Sequence, residues 1–257
     1  MCSTPKIGLA LGGGVVRGFA HLGVLEVLEA EGLQIDFVGG TSVGSIMGYC
    51  YAAGMEIGHM KEMAEELGWW KLARPIVPRQ AFISFDLLEE YLIRTLGDLH
   101  FEDLARPLVI MATDVQTGES VPLTSGRVAP AVCASCSVPG FVQPKLVNGR
   151  YLVDGGISCN VPIDPVRGLG ADYVIGVDIF EQGEHKRLGP LGVGITALEI
   201  MVRRSGNGLS HAECIIKPNL QHATYVNFNK RHELMNHGRT AAQASLPEIR
   251  AELAALA

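Results

Sequence analysis

The residue types best placed for chemistry lie in Gly40-Thr41-Ser42-Val43-Gly44, a G-x-S-x-G pattern between an apolar run and a helix-like run. A serine on a sharp strand-to-helix turn is forced into a strained backbone geometry that exposes its hydroxyl. The flanking glycines, Gly40 and Gly44, let neighbouring segments approach where a Cβ would clash. At a helix N-terminus, backbone N–H groups stabilise negative charge that develops nearby. In a chain with 31 glycines the same five residues also describe an ordinary Gly/Ser turn, so the pattern alone decides nothing.

Acyl transfer demands three groups: a nucleophile, a base for its proton, and donors for the oxyanion. Ser42 is the candidate nucleophile. Candidate donors are the backbone N–H groups of Gly12-Gly13-Gly14-Val15, which continue into Val16-Arg17-Gly18. A tight turn allowing close helix packing is one rival for this loop, and a dinucleotide site is another. The dinucleotide spacing G-x-G-x-x-G fails, because Arg17 stands where the third glycine belongs. No tyrosine has a lysine four residues on, so a short-chain dehydrogenase pair is missing as well.

The base is less obvious. Serine hydrolases usually pair the nucleophile with histidine. Of His21, His59, His100, His185, His211, His222, His232 and His237, none sits at a strand end beside a glycine-rich turn. His21 falls on the first expected helix and reads as a helix-surface or packing residue. Asp154, by contrast, ends an expected strand and is followed by Gly155 and Gly156, which frees its carboxylate to face the carboxyl edge of a sheet. Asp-Gly-Gly is equally the composition of a simple tight turn.

The elements that must position these groups follow from periodicity. Ile7 to Leu11 reads as a strand, and Phe19, Leu22, Leu25 and Val27-Leu28 mark a helix ending at Gly32. Ile35 to Val38 is a second strand, and Val43 to Ala53 a second helix. This β–α–β–α alternation implies parallel, right-handed crossovers with both glycine-rich loops at one sheet edge. Further on, helices are expected over Met55–Leu67, Phe85–Leu96, Val128–Cys136 and Ile163–Leu169. Strands are expected over Pro107–Thr113, Ser120–Leu123, Tyr151–Val153 and Tyr173–Ile179, the first two forming a hairpin. In the tail, Leu188–Gly194 reads as loop, Ile195–Arg204 as helix, Glu213–Lys217 as strand and Arg239–Leu256 as an Ala-rich helix.

Composition bounds the function. With 257 residues, 47% hydrophobic and 19% charged, the chain can build a large α/β core. A net charge of −6 argues against nucleic acid as a partner and against general attraction to anionic headgroups. No window approaches 18 uninterrupted apolar residues, and the apolar run at Ile7 is too short and glycine-broken for a signal peptide. The cysteines Cys2, Cys50, Cys133, Cys136, Cys159 and Cys214 read as reduced thiols of a cytoplasmic protein. Cys133 and Cys136 lack a second pair to complete a zinc set, so packing is the expectation, and no metal or other cofactor is implied. Trp69-Trp70 reads as a lid or lipid-docking pair, or equally as a core or subunit contact.

Taken together, Leu11 through Leu25, Gly40 through Gly44 and Asp154-Gly155-Gly156 resemble the patatin-like phospholipases in content and order. Phe101–Leu104, Ala112–Glu119, Ala134–Phe141, Asn160-Val161-Pro162, Leu169–Asp172 and Gly176–Asp178 are similar to the bacterial branch of that family. The resemblance spans roughly residues 5 to 180. It implies an α/β three-layer sandwich, a mainly parallel central sheet with helices on both faces. It implies one domain over 1–257, with residues 181–257 a helical extension.

It also implies a Ser–Asp dyad without histidine. Ser42 would attack an acyl ester, Asp154 would take its proton, and Gly13, Gly14 and Val15 would donate N–H groups to the oxyanion. Gly12, Arg17, Gly40, Gly44, Gly155 and Gly156 would support them. The implied partner is a lipid or acyl-ester substrate, met in transient contact with a membrane surface peripheral to the inner membrane; the oligomeric state stays open. Aspartate near its ordinary pKa of ~3.9 is a weak base for a hydroxyl, so burial would have to raise it. The chain departs from the family at Val15, which stands in place of the third glycine of G-G-G-x-R-G. A positive φ there is costly for a β-branched residue. That departure motivates the alternative of a weakly active or inactive lipid-binding protein.

Overall fold

The computed structural model describes residues 4–78, 81–180, 189–205, 208–221 and 227–256. Cys2, His185, His222 and the first residue of the loop expected at Leu188–Gly194 lie outside the described residues. The chain opens with β1 (Ile7–Leu11), whose five residues are all buried, as a strand covered on both faces requires. The glycine loop and a short 3₁₀ turn (Val15–Gly18) lead to α1 (Phe19–Ala30), then β2 (Ile35–Thr41) and α2 (Val43–Ala52). Next come α3 (Ile57–Glu66), the single turn α4 (Trp69–Leu72), a two-stranded ribbon β3 (Arg74–Pro75) and β4 (Ile83–Ser84), and α5 (Asp86–Leu96). β5 (Leu108–Asp114), β6 (Ser120–Leu123), α6 (Val128–Ser135), β7 (Lys145–Val147) and β8 (Arg150–Asp154) follow. The chain finishes with α7 (Ile163–Gly168), β9 (Tyr173–Val177), α8 (Gly189–Arg204), β10 (Cys214–Ile216) and α9 (Arg231–Leu256).

The main sheet has the order β10-β9-β1-β2-β5-β8-β7, with β6 also paired to β5. β10, β9, β1, β2 and β5 run parallel, while β6, β7 and β8 form an antiparallel flank. Alternate side chains divide between two apolar layers, as the two-residue strand period dictates. On one face Leu9, Leu11, Ile110, Ala112, Ile175 and Val177 join the large core under α1, α2, α3, α5, α6 and α9. On the other, Ala10, Val109, Met111 and Val174 pack with Ile163 and Val166 of α7. The architecture is therefore a three-layer α/β sandwich.

The tail departs from the expectation in two places. α8 begins at Gly189, inside the stretch that read as loop, and α9 begins at Arg231 rather than Arg239. Glycine and proline carry poor helix propensity, so packing overrides composition in α8. In α9 the polar run Arg231–His237 hides a narrow buried stripe, Leu234, Met235 and Gly238. β10 extends the sheet beside β9, and α9 packs along α1. The two helices meet backbone to backbone: a Cβ on Gly23 would lie 1.9 Å from Met235 O, and one on Gly238 would lie 2.0 Å from Ala20 O. Arg231, at the start of α9, donates to the Ala64, Glu65 and Leu67 carbonyls at the end of α3, satisfying groups that lack partners within that helix, and to Phe228 O just before its own helix.

Candidate active site

Ser42 occupies the single residue between β2 and α2, with φ 52 and ψ −127. A positive φ is strained for any residue with a Cβ and persists only where the surroundings over-determine it. They do so here. The Ser42 N–H donates to Ser135 Oγ at 2.8 Å, and that hydroxyl donates to Met111 O at 2.6 Å. On the other side, Ser42 O accepts from the Ser45 hydroxyl at 2.6 Å and from the Ser45 N–H at 2.8 Å. Ser135 and Ser45 are both fully buried, and the sequence assigned neither of them a role.

Asp154 closes β8, as expected of a strand end, and β8 runs antiparallel to β5. Register brings it to the serine: Thr41 lies opposite Met111 and Asp154 opposite Ala112, so Ser42, one residue past Thr41, emerges level with Asp154. The Ser42 hydroxyl donates to Asp154 Oδ2 at 2.6 Å, while Asp154 Oδ1 accepts the Gly156 N–H at 2.8 Å. The Asp154 backbone is clamped as well, its N–H donating to Ser137 O at 2.9 Å and its carbonyl accepting from Thr113 Oγ1 at 3.1 Å. Burial raises the Asp154 carboxyl from its ordinary value to about 6, against the lowering effect of the hydrogen bonds from Ser42 and Gly156. A base poised near neutrality is better matched to proton transfer than an exposed aspartate.

The glycine loop lies against this pair. A Cβ built on Gly13 would come within 3.1 Å of Ser42 Cβ. The Gly12 N–H donates to Val177 O at 3.0 Å, and the Gly13 N–H donates to Asn160 Oδ1 at 3.1 Å. The Gly13 N–H, expected among the oxyanion donors, is thus engaged by Asn160 in this structure. The N–H groups of Gly14 and Val15 have no partner among the described residues and belong to the wall of the same cavity. Val15 adopts φ 53, the strained conformation that its β-branch disfavours. Arg17 is buried, and its backbone N–H donates to Gly14 O at 3.1 Å.

Among the described residues, His21 is the one histidine hydrogen-bonded to this loop. It is fully buried, and its Nε2 lies 2.8 Å from Gly12 O. Burial lowers its pKa to about 4, so the ring is neutral at pH 7 and Nε2–H is the donor to the carbonyl. Nδ1 has no hydrogen-bond partner among the described residues. Because its folded pKa is depressed, His21 contributes stability that is present above about 6.5 and lost as pH falls towards about 4. Among the described residues no histidine lines the cavity around Ser42.

That cavity has a volume of about 430 Å³ and holds Ser42 and Asp154 in a surround that is otherwise almost wholly apolar. Phe19, Met47, Leu88 and Val142 form part of its wall, and Ile195, Leu198 and Val202 of α8 close another side. The two tryptophans part company. Trp69 lines the cavity and meets Phe228 edge-on at 5.5 Å, with Phe228 in turn edge-on to Phe19 at 5.8 Å. Trp70 is exposed, with Lys71 over its ring at 5.3 Å. Cys133 is buried, and Cys136 lines the cavity with its thiol pushed well above the ordinary range by burial. Among the described residues no cluster of His, Cys, Asp and Glu could hold a metal ion, and no helix is long and apolar enough to cross a membrane.

A strained serine on a strand-to-helix turn, an aspartate partner and a glycine-rich loop on a parallel α/β sheet define a class of acyl-transfer folds. The family model for patatin-like phospholipases matches residues 9–167, and the chain belongs to that family. It is 33% identical over 179 residues to an uncharacterized NTE family protein of Mycobacterium tuberculosis, a match covering 69% of this chain and 50% of that protein. It is 34% identical over 179 residues to lysophospholipase nte1 of Aspergillus fumigatus, covering 67% of this chain and 12% of that protein. The chain thus spans about half the length of the mycobacterial relatives it matches, and far less of the fungal ones. Among solved structures, VipD from Legionella pneumophila superposes with a TM-score of 0.58 at 16% identity, covering 95% of this chain and 67% of that one. ExoU in its complex with SpcU from Pseudomonas aeruginosa gives 0.56 at 17% identity, covering 95% and 52%. At such identities the likeness is one of fold.

Proposed function

We propose that this protein is a serine acyl-ester hydrolase that cleaves fatty-acyl esters of phospholipids, lysophospholipids or related lipids through a Ser42–Asp154 dyad. The observation that carries this reading is the 2.6 Å hydrogen bond from Ser42 to a buried Asp154 on the wall of an apolar cavity. As Ser42 Oγ attacks the ester carbonyl, Asp154 Oδ2 takes its proton. The oxyanion that forms accepts hydrogen bonds from the N–H groups of Gly14 and Val15. Asp154 then returns the proton to the departing alcohol, leaving an acyl group on Ser42. Water enters, gives a proton to Asp154 and attacks the acyl carbonyl, and the proton passes back to Ser42 as the fatty acid leaves.

The test is labelling with a fluorophosphonate together with fatty-acid release from lysophospholipid and phospholipid. A folded protein that neither labels nor releases fatty acid is instead the lipid-binding protein that the strain at Val15 would favour. The acid limb of kcat/KM should titrate with an apparent pKa of about 6, activity falling as pH drops and Asp154 gains its proton. A limb at the ordinary aspartate value would remove Asp154 from the role of base.

The same reading places the cavity mouth against a lipid surface from the aqueous side. Trp70, Val77 and Val193 are 75%, 76% and 71% exposed, and Phe82 is half exposed beside Phe141 of the cavity wall. Trp70, Phe82 and Val193 stand within two residues in sequence of Trp69, Ile83 and Ile195, which line the cavity. Replacing Trp70 and Val193 with glutamate should slow hydrolysis of vesicle-borne lipid about tenfold or more while sparing a soluble short-chain ester, since buried interfacial apolar area is lost. Equal effects on both substrates would refute membrane contact at this rim.

A further inference from the structure

We infer that Asn160 and Ser205 are positioning residues for the oxyanion loop, through which the helix that closes the cavity also sets its reactivity. The inference rests on the hydrolase reading above and concerns how Gly14 and Val15 are aimed. Among the described residues neither N–H has an anchor of its own. Two N–H groups before them anchor the loop, Gly12 to Val177 O and Gly13 to Asn160 Oδ1, while Gly12 O accepts from His21 Nε2 and Gly14 O from the Arg17 N–H at 3.1 Å. The first anchor is the edge of the sheet. The second is one buried amide side chain, so the rotation of the loop about Ser42 depends on where Asn160 stands.

Asn160 is in turn held by α8. Its backbone N–H donates to Ser205 Oγ at 3.2 Å, at the residue that follows the last turn of that helix. The Ser205 hydroxyl lies 2.6 Å from Gly156 O and 2.8 Å from Val202 O. It has one proton, so it donates to one carbonyl at a time while accepting from Asn160. Gly156 is the residue whose N–H holds Asp154 Oδ1. One hydroxyl therefore ties together α8, the turn that carries Asp154, and the asparagine that carries the oxyanion loop. The same helix presents Ile195, Leu198 and Val202 to the cavity. An acyl chain seated against α8 would thus stabilise the arrangement that aims the donors, and the left-handed φ of 53 at Val15 needs such over-determination to persist.

Oxyanion donors act only when placed to within a fraction of an ångström, so a lost anchor appears in the chemical step more than in binding. With a soluble short-chain p-nitrophenyl ester, Ser205→Ala and Asn160→Ala should each lower kcat about 10- to 100-fold with KM changed by no more than about twofold. Ser205→Thr, which keeps the hydroxyl, should restore most of the rate. Because both side chains act in one chain of contacts, the double variant should be no slower than Asn160→Ala alone. The acid limb at about 6 should stay in place, since Asp154 keeps its partners. Wild-type kcat in Ser205→Ala, additive losses in the double variant, or no recovery in Ser205→Thr would each overturn the inference. The Ser205 pair decides it alone should Asn160→Ala fail to fold. A wild-type protein inert to the fluorophosphonate overturns the hydrolase reading first and this inference with it; a reactive wild type beside an unchanged Ser205→Ala overturns only the inference.

Discussion

Asp154→Asn is expected to give a folded protein that is more stable than wild type at pH 8 and has lost nearly all hydrolysis. Both effects have one source. Burial raises the carboxyl to about 6, so above that pH the folded protein holds a charge it would rather neutralise. The sign follows from linkage: a group with a raised folded pKa contributes stability below its unfolded value, and that contribution is lost as pH rises through about 6. An asparagine carries no charge to desolvate, so the gain at pH 8 should be on the order of 1–3 kcal/mol and should vanish near pH 4. The amide can keep the local contacts. Its oxygen accepts the Gly156 N–H, and its NH₂ faces a Ser42 hydroxyl that can accept. What it cannot do is take a proton, so hydrolysis should fall by about 10⁴-fold or more, as removal of a member of a nucleophile–base set does. Ser42→Ala should lose as much activity without the pH-dependent gain. Thermal melts at pH 4 and pH 8, run beside the esterase assay, separate the two variants. An Asp154→Asn protein that is destabilised at pH 8 would mean that the carboxylate is a structural anchor, and retained hydrolysis would mean that another group is the base.

Much of this site was legible because it depends on local chain geometry. The order strand, glycine loop, helix, strand, serine turn, helix puts two loops at one sheet edge through handedness alone. Ser42 and the loop from Gly12 to Val15 could therefore be placed together from sequence. The partner of Gly13 could not. Asn160 lies 147 residues away, and its role rests on a side-chain oxygen that reaches a backbone N–H across the sheet edge. Ser135, which supports the Ser42 N–H, is one small residue in a helix of small residues, and nothing in its spacing marks it. The direction of β8 was not legible for a related reason: Asp-Gly-Gly reports that the chain turns but not which way the preceding strand runs. Beyond residue 180 the difficulty is compositional. The glycines and proline at the start of α8 and the polar first turns of α9 suppress the helical signal, while contacts with the Asp154 turn and with α1 supply what propensity lacks.

Gly44→Ala should damage both stability and activity, although by propensity alone it ought to help. Gly44 sits in the first turn of α2, where alanine is favoured over glycine by up to about 1 kcal/mol. A Cβ there would stand 2.1 Å from Leu11 O and 2.7 Å from Gly12 O. Both atoms are backbone, one in the central strand and one in the glycine loop, so no flexible side chain can yield. Either α2 lifts from β1 or the loop is pushed away from Ser42. Overpacking of this kind costs about 1–3 kcal/mol, more where backbone must move, which outweighs the propensity gain. The displacement falls between the nucleophile and its oxyanion donors, so kcat should drop about 100-fold or more even in the fraction that stays folded. Gly58→Ala is the matched control. Gly58 lies in the first turn of α3, and a Cβ there meets nothing within 4 Å. It should raise stability by a few tenths to about 1 kcal/mol with unchanged kcat. Urea melts and ester hydrolysis on the two variants decide the matter: a Gly44→Ala protein as stable and active as wild type would show that the approach of α2 to β1 is looser than this packing requires.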